Sequence, residues 1–320
     1  MVSKPGAEAV WGWKSSVSVP VGLGGSVFGW IVAPKDTDAI LDRFFEFGGR
    51  FIDTSDGYSH AERGSGGDSE SLIGSWVKRR GVEDEIRIIT KVGLCPGVEG
   101  LAPAVVARAA EASLERLGVP AAEAILAHAD DGVTAPEDIA AGLAALVGVR
   151  ARHIGVSRFS AARLAATQAA LRRSASPTIS IIQEEFSLAE RRGIDDLLAC
   201  GSGTATPGLV CSVALARGFL TAKFQNAQER VGARQRFVLE TYSSPEHNDL
   251  LAGIRRVAGD RGVTPAAIAI RWLLQHDAVV LPLVSVTTAE QLDAFAEAAS
   301  QRLTTAEWRS LDELSMRLFR

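Results

Sequence analysis

Short apolar runs alternate with longer amphipathic segments along almost the whole chain. Eight of these runs, rich in Val, Ile, Leu and Ala, predict buried parallel strands, because strands covered on both faces are apolar throughout. The predicted strands span residues 19–25, 50–53, 86–90, 124–128, 153–157, 179–183, 208–213 and 279–283.

Between these runs, apolar residues recur at the spacing of an amphipathic helix. The predicted helices span residues 33–47, 102–117, 136–147, 161–172, 194–200, 250–259, 265–276 and 289–299, with one more beginning near residue 69. Residues 223–245 are predicted to be irregular. A last helix is predicted over residues 304–318, with Thr304 as its N-cap and Glu307 completing a capping box.

Eight strand–helix units in strict alternation predict an α/β fold with parallel strands, and this number of strands predicts closure into a (β/α)₈ TIM barrel. We expect a single domain over residues 1–320, while a doubly wound open sheet remains the alternative. In such a barrel the active site lies at the carboxyl ends of the strands. Polar residues at or just past the predicted strand ends are Asp53, Lys91, His128, Ser157 and Gln183.

Charge and composition exclude several classes of partner. The formal net charge is −4 and no basic run is present, which argues against nucleic acid or an anionic membrane as a partner. The amino terminus lacks the apolar core of a signal peptide, and no apolar stretch is long enough to span a bilayer. We expect a cytoplasmic protein that acts on a small molecule, and the sequence carries no signal for an oligomeric state.

No metal site is expected from the sequence. The three cysteines, Cys95, Cys200 and Cys211, lack zinc-site spacing, and an odd number cannot be fully paired. His60 and Glu62 lie with Asp68 in a stretch rich in Gly and Ser, where we interpret them as solvated loop residues.

Four of the polar residues suit the reduction of a carbonyl group. A carbonyl that accepts a hydride becomes an alkoxide, whose charge the protein must stabilise or protonate. A tyrosine hydroxyl can supply the proton when a nearby cation lowers its pKa. The chain offers Tyr58 as the acid, Lys91 as the cation held by Asp53, and His128 to orient the substrate oxygen. Each residue alone has an ordinary structural interpretation, and only their common position on adjacent strand ends favours a shared site.

The sequence around these residues resembles the aldo-keto reductase family. FIDTSDGY followed by GGDSESLIGSWVKRR is similar to the family signature, and IITKVG and ILAHADD are similar to its lysine and histidine strands. The later blocks RHIGVSRFS, IIQEEFSLAERR, ALARGFLTAKF and LPLVSVTTAEQL follow in the family's order. The resemblance covers roughly residues 18–315. It implies that Tyr58 is the general acid/base, tuned by Lys91 and Asp53, with His128 orienting the carbonyl.

The resemblance also implies a nicotinamide dinucleotide bound on the barrel. It places Ser157 and Gln183 at the nicotinamide carboxamide, with two departures beside them, because Arg158 replaces the family's Asn and Ser212 replaces its stacking aromatic residue. The implied pyrophosphate residues are Leu215, Arg217, Gly218 and Lys223, and the implied adenosine-phosphate residues are Ser285, Thr287 and Gln291. Trp30, just past the first strand, is a candidate for the wall of the substrate pocket as well as for plain packing.

The choice between the two dinucleotides is narrow. The family resemblance favours NADP(H), whose 2′-phosphate normally binds a basic residue. Here that residue is Thr287, with Glu290 close by, and a carboxylate disfavours a phosphate dianion. The expectation is therefore NADP(H) by a small margin, with NAD(H) as the alternative.

The expected activity is that of an NAD(P)(H)-dependent reductase acting on the carbonyl or alcohol group of a small substrate. Sugar-like compounds and secondary metabolites are the expected substrate classes. A nucleotide-sensing or scaffold barrel with little turnover is the alternative. The intact catalytic set favours the enzyme: Asp53, Tyr58, Lys91 and His128. Arg158 and Ser212 leave the alternative open.

Overall fold

A computed structural model of the chain describes residue 10 and residues 12–59, 65–200, 206–223 and 233–319. Eight parallel strands pair in sequence order and close into a barrel through hydrogen bonds between the last and the first strand. The strands are β1 (Gly22–Gly24), β2 (Phe51–Asp53), β3 (Arg87–Val92), β4 (Ala122–Ala127), β5 (Ala151–Ser157), β6 (Ile181–Glu185), β7 (Gly208–Ser212) and β8 (Val279–Val284). Closure confirms the predicted (β/α)₈ barrel and excludes the open doubly wound sheet.

Helices surround the barrel in the described part of the chain. They are α1 (Pro34–Glu46), α2 (Asp68–Arg80), α3 (Pro103–Leu117), α4 (Pro136–Ala144), α5 (Ala161–Arg173), α6 (Ile194–Ala199), α7 (Ala233–Thr241), α8 (Pro245–Arg261), α9 (Pro265–Leu274), α10 (Asp293–Ser300) and α11 (Thr305–Arg317). Short 3₁₀ segments cover Trp13–Ser15, Gly25–Val27, Ala216–Thr221 and Ala289–Leu292. The capping box of Thr304 and Glu307 at the start of α11 is present as predicted.

Three predicted elements need correction. The segment predicted to be irregular contains helix α7, which the sequence pattern missed because its apolar face is narrow, with Val238 fully buried and Phe237 half exposed. Strands β3 and β6 extend two residues past their predicted ends, so Lys91 lies inside β3 and Gln183 inside β6. Polar side chains ended the apolar runs there, but backbone pairing continues because it does not depend on side-chain polarity.

The barrel interior is packed below the strand ends. Side chains including Ile89, Leu126, Ile181 and Val210 form one buried cluster inside the sheet. Trp13 joins this cluster and packs on Phe51, the first residue of β2, with ring centroids 4.8 Å apart. The amino-terminal end of the barrel is therefore filled, and a ligand cavity has to lie at the carboxyl ends of the strands.

Neither a transmembrane helix nor a metal cluster is found among the described residues. No helix in these ranges is long and apolar enough to cross a bilayer. No group of three or more His, Cys, Asp and Glu side chains in the same ranges is arranged to hold a metal ion. His60 and Glu62 lie outside the described residues. The three cysteines are free thiols.

Candidate active site

A cavity of about 1140 Å³ opens at the carboxyl ends of the strands. It exceeds the range of about 300–1,000 Å³ that is usual for small-molecule sites, so it has room for an extended ligand. Every predicted catalytic and cofactor residue lines it: Asp53, Tyr58, Lys91, His128, Ser157, Arg158, Gln183, Ser212, Leu215, Arg217, Gly218, Lys223, Ser285, Thr287 and Gln291. The structure thus brings together residues that the sequence spreads over 239 positions, from residue 53 to residue 291.

Asp53 is the centre of a hydrogen-bonded group on the cavity floor. Lys91 Nζ donates to both Asp53 carboxylate oxygens at 2.8 Å and to the Thr54 carbonyl at 2.6 Å. Tyr58 Oη donates to Asp53 Oδ2 at 3.2 Å. Asp53 and Lys91 are both almost fully buried, at 2% and 1% exposure, so water screens their attraction little. Asp53 therefore connects the lysine to the tyrosine hydroxyl.

The loop after β2 places Tyr58 over Lys91. The β2–β3 ladder continues past Asp53, because the Thr54 N–H donates to the Ile89 carbonyl and the Asp56 N–H to the Lys91 carbonyl. The Asp56 carboxylate accepts a bond from the Gly93 N–H at 2.8 Å, which ties this loop to the turn after β3. Burial raises the Asp56 pKa to about 6. Held in this way, the loop brings Lys91 Nζ to 4.8 Å from the centre of the Tyr58 ring.

His128 follows β4 directly and forms the next wall of the site. Its N–H donates to the Val92 carbonyl, and its ring meets the Tyr58 ring edge to face at a centroid distance of 5.7 Å. Nδ1 lies 2.6 Å from Ser55 Oγ, which also accepts a bond from the Gly57 N–H. Burial, followed by the charges of Lys91 and Arg158, lowers the His128 pKa to about 2. The imidazole is therefore neutral at physiological pH.

The structure reverses one electrostatic expectation. The sequence suggested that Lys91 lowers the Tyr58 pKa, but burial and then the adjacent Asp53 carboxylate raise it well above its ordinary value. Burial also lowers the Lys91 pKa, against the opposing effect of Asp53. Asp53 is hydrogen-bonded to both side chains, so its carboxylate lies between the tyrosine hydroxyl and the lysine ammonium group. The Tyr58 hydroxyl is therefore protonated in this site.

The residues assigned to the nicotinamide end differ in their hydrogen bonds within the protein. Gln183 Nε2 donates to Asp53 Oδ1 at 2.7 Å, so its amide belongs to the same group as Lys91. Arg158 has a left-handed backbone with φ 53°, and its Nε donates to the His128 carbonyl at 3.2 Å. Ser157 and Ser212 end β5 and β7 and line the cavity. Their role toward a nicotinamide stays a prediction.

The segment after β7 forms one side of the cavity. Arg217 and Gly218 have positive φ angles of 55° and 101° within the 3₁₀ segment Ala216–Thr221, which turns the backbone sharply against the opening. The Arg217 guanidinium forms an ion pair with Glu185 at 2.7 Å. Both residues line the cavity, so this side carries a cation together with the carboxylate that balances it.

The segment after β8 also lines the cavity. The Thr287 N–H donates to Gln291 Oε1 at 2.9 Å, and the Gln291 amide returns a bond to Thr287 Oγ1 at 3.4 Å. Three carboxylate residues also line this part of the cavity: Glu290, Asp293 and Glu297. The sequence interpretation considered Glu290 alone.

Trp30 is not among the residues that line this cavity. Its side chain is 40% exposed, and Nε1 donates to the Ser26 carbonyl at 2.6 Å. Ser26 does line the cavity, so Trp30 lies beside the opening. A contact between Trp30 and substrate remains a prediction.

Glu184 is a cavity residue that the sequence interpretation missed. It follows Gln183 in β6 and lines the cavity, and its Oε1 is buried without a hydrogen-bond partner. Burial raises the Glu184 pKa to about 7, against the backbone N–H groups of Arg158 and Phe159, which favour the charged form. The only signal for Glu184 in the sequence is the position of an acidic residue at the end of a buried strand.

We expect Glu184→Gln to stabilise the protein at alkaline pH. The carboxyl has a higher pKa in the folded state than its ordinary value of 4.5, so the folded state holds the proton more tightly. Wild-type stability therefore falls as pH rises from about 4.5 to 7, and the neutral glutamine escapes this loss. Urea unfolding should show equal stabilities at pH 4.5 and an advantage of about 2 kcal/mol for the variant at pH 8. A difference that does not change with pH would contradict the assignment.

Comparisons with known proteins agree with one another, and each covers most of the chain. The family model described as Aldo/keto reductase family matches residues 20–316. The chain is 27% identical over 289 residues to a Schizosaccharomyces pombe protein named aldo-keto reductase yakc, with NADP(+) in its name, covering 86% of this chain and 81% of that one. It is 28% identical over 317 residues to norsolorinic acid reductase stcV of Emericella nidulans, covering 92% and 77%. It is 27% identical over 304 residues to L-glyceraldehyde 3-phosphate reductase of Escherichia coli K12, covering 89% and 85%.

Proposed function

The chain belongs to the aldo/keto reductase family and is an NAD(P)-dependent oxidoreductase acting on carbonyl groups, and we propose that Tyr58 is its general acid. The observation that carries this proposal is the hydrogen-bonded group on the cavity floor. Lys91, Asp53 and Tyr58 are linked through the Asp53 carboxylate, and the His128 ring stands at the edge of the tyrosine. We assign the substrate carbonyl to the space beside Tyr58 Oη and His128.

The residues present fit a nicotinamide dinucleotide. The cavity exceeds the usual volume of a site for one small ligand, as an extended dinucleotide together with a substrate would require. Arg217 and Lys223 line it on the β7 side, where cations suit a pyrophosphate. Ser157 and Gln183, which pair across β5 and β6, also line it and suit a carboxamide. The family gives NAD(P)H as the cofactor class, while the narrow sequence preference for NADP(H) rests on resemblance and not on a basic residue at Thr287.

The chemistry assigned to the protein is proton transfer and charge stabilisation. When bound, the reduced nicotinamide supplies the hydride that converts the carbonyl into an alkoxide. Tyr58 Oη then protonates the alkoxide, which is a stronger base than a tyrosinate. A Ser55 hydroxyl that donates to His128 Nδ1 leaves the imidazole proton on Nε2. His128 then donates from Nε2 to the substrate oxygen and holds it beside the tyrosine.

The electrostatics of the site keep Tyr58 protonated. Burial and then the Asp53 carboxylate raise the Tyr58 pKa, so the hydroxyl carries the proton that an alkoxide would take. Small aldehydes and ketones of sugar-like or secondary-metabolite type are the proposed substrates, since relatives are named for reducing L-glyceraldehyde 3-phosphate and norsolorinic acid.

We expect the purified protein to oxidise NADPH or NADH when a small aldehyde is added. The loss of absorbance at the reduced-nicotinamide band, followed over a panel of aldehydes and ketones, measures this activity. Raised thermal midpoints with the same dinucleotides report binding independently of turnover. Dinucleotide binding without turnover on any carbonyl of the panel would support the sensing or scaffold alternative. Neither binding nor turnover would contradict the proposal as a whole.

A further inference from the structure

We infer that the outer end of the cavity selects NAD(H) over NADP(H), and that Glu290, Asp293 and Glu297 decide this selection. The inference rests on the proposed function, because it requires a dinucleotide whose nicotinamide lies beside Tyr58. The two cofactors differ at the 2′ position of the adenosine ribose. NAD(H) carries a hydroxyl there, which can donate a hydrogen bond, whereas NADP(H) carries a phosphate that is close to a dianion at neutral pH.

The cavity runs from the barrel mouth to the outer helix layer. Its floor is formed by Tyr58 and Lys91 at the strand ends. Its lining also includes Thr264 and Pro265 at the start of α9, and Glu297 in α10, and both helices lie outside the barrel. An extended dinucleotide with its nicotinamide at the mouth therefore places its adenosine at this outer end.

Three hydrogen-bond donors at the outer end are already engaged within the protein. The Thr264 N–H and hydroxyl both donate to Glu297 Oε2, at 2.9 and 2.6 Å. The Thr287 N–H donates to Gln291 Oε1 at 2.9 Å. A phosphate would have to displace an internal acceptor to gain any of these donors, and a carboxylate such as Glu297 is as good an acceptor as the phosphate that would replace it.

Arg43, the arginine near this end, is also paired with a carboxylate. Arg43 of α1 donates from Nη2 to Asp293 Oδ1 at 2.6 Å, which balances its charge. Its Nε is buried without a hydrogen-bond partner, and Arg43 is not among the described residues that line the cavity. Glu290 adds a further carboxylate in the 3₁₀ segment Ala289–Leu292. Its own backbone N–H, and then the Thr288 side chain, keep the Glu290 pKa below its ordinary value. Glu290 lies in the first turn of this segment and Asp293 in the first turn of α10, so each carboxylate opposes the binding of a phosphate at the positive end of its own helix.

The basic residues of the cavity lie elsewhere. Among the described residues that line it, the lysines and arginines are Lys91, Arg158, Arg217 and Lys223. They come from β3 and from the segments after β5 and β7, whereas the lining after β8 contributes carboxylates. A 2′-phosphate at the outer end therefore meets like charge, while a ribose 2′-hydroxyl meets acceptors. A carboxylate that accepts a bond from this hydroxyl is the arrangement by which other dinucleotide sites select NAD.

Calorimetric titration of the full-length protein tests the inference. We expect NADH to bind at least about tenfold more tightly than NADPH, because like charges placed together cost several kcal/mol. We expect the same order for the fragments AMP and 2′-phospho-AMP, which report on the adenosine end alone. Thr287→Arg combined with Glu290→Gln should reverse the ratio for both pairs of ligands. Glu290 is exposed, so Glu290→Gln alone can be tested if the double variant is unstable. It should reduce the preference for NADH over NADPH.

Asp260→Asn is the matched control, since Asp260 is an exposed carboxylate of α8 that does not line the cavity. Its affinity ratio should equal that of the wild type. Tighter binding of NADPH than of NADH by the wild type would overturn the inference and leave the proposed function standing. An unchanged ratio in the Glu290 and Thr287 variants would also overturn it. Failure of both dinucleotides to bind would instead count against the proposed function.

Discussion

Replacing Tyr58 with Phe is expected to lower kcat and kcat/KM for carbonyl reduction by at least about 100-fold, because general acid catalysis contributes about 10²–10⁴-fold. The substitution removes the hydroxyl that donates to Asp53 and leaves the ring against His128. The contribution of the hydroxyl grows as the alkoxide forms, so its loss falls on the transition state more than on substrate binding.

Dinucleotide binding should survive this substitution. The Tyr58 hydroxyl is bonded to Asp53, and the cations on the β7 side of the cavity are untouched. Titration with NADH and NADPH should give dissociation constants close to those of the wild type, and steady-state assays should give the loss in kcat.

The chain contains two tyrosines, so Tyr242→Phe is the matched control. The Tyr242 ring stacks on Phe219 with a centroid distance of 4.7 Å, and Tyr242 is not among the residues that line the cavity. Its hydroxyl interacts with Arg217, so any effect of the control should fall on dinucleotide affinity, and the variant should keep most of the wild-type kcat. A Tyr58→Phe enzyme that retains half of its kcat would remove Tyr58 from the mechanism, and a comparable loss in Tyr242→Phe would show that the effect is not specific.

Convergence of the candidate site could be predicted from the sequence, because it follows from topology. Parallel strands end at one edge of a closed sheet, so polar residues at the strand ends have to meet there. Asp53, Lys91 and Gln183 come from β2, β3 and β6, and all three meet at the Asp53 carboxylate. The prediction needed only the strand positions to within about two residues, which is the accuracy that apolar runs provide.

The direction of the Tyr58 pKa shift could not be predicted in the same way. Sequence shows that a lysine is near a tyrosine, but it does not show that the carboxylate stands between them or how deeply the hydroxyl is buried. Burial is the larger effect and Asp53 adds to it, so the shift is upward. Ser55 and Glu184 were missed for a related reason, since the role of Ser55 depends on one short contact with His128 and that of Glu184 on the depth of its burial.

Lys91→Met is expected to destabilise the fold as well as to impair turnover. Lys91 is buried against the Asp53 carboxylate, and removing one partner of a buried ion pair costs about 3–5 kcal/mol, because the other charge is left without compensation. Met fills a similar volume, so the expected loss comes from electrostatics and not from a cavity. Urea unfolding of the variant and the wild type measures it.

A double variant separates the stability effect from the catalytic one. Asp53→Asn in the Lys91→Met background removes the uncompensated charge, so most of the lost stability should return. Turnover should not return, because the carboxylate that links the lysine to Tyr58 is now absent as well. Lys78→Met, at an exposed position of α2, is the matched control and should change the stability by less than about 0.5 kcal/mol.

The free energy of unfolding and kcat together distinguish a structural role of Lys91 from a catalytic one. A single variant as stable as the wild type would mean that the Asp53 charge is compensated without the lysine, by donors such as Gln183 Nε2 at 2.7 Å. A double variant that regains both stability and kcat would mean that the ion pair only holds the fold together and has no part in catalysis. If stability returns and kcat stays low, the buried pair is needed in the reaction itself, to orient the carboxylate that contacts the Tyr58 hydroxyl.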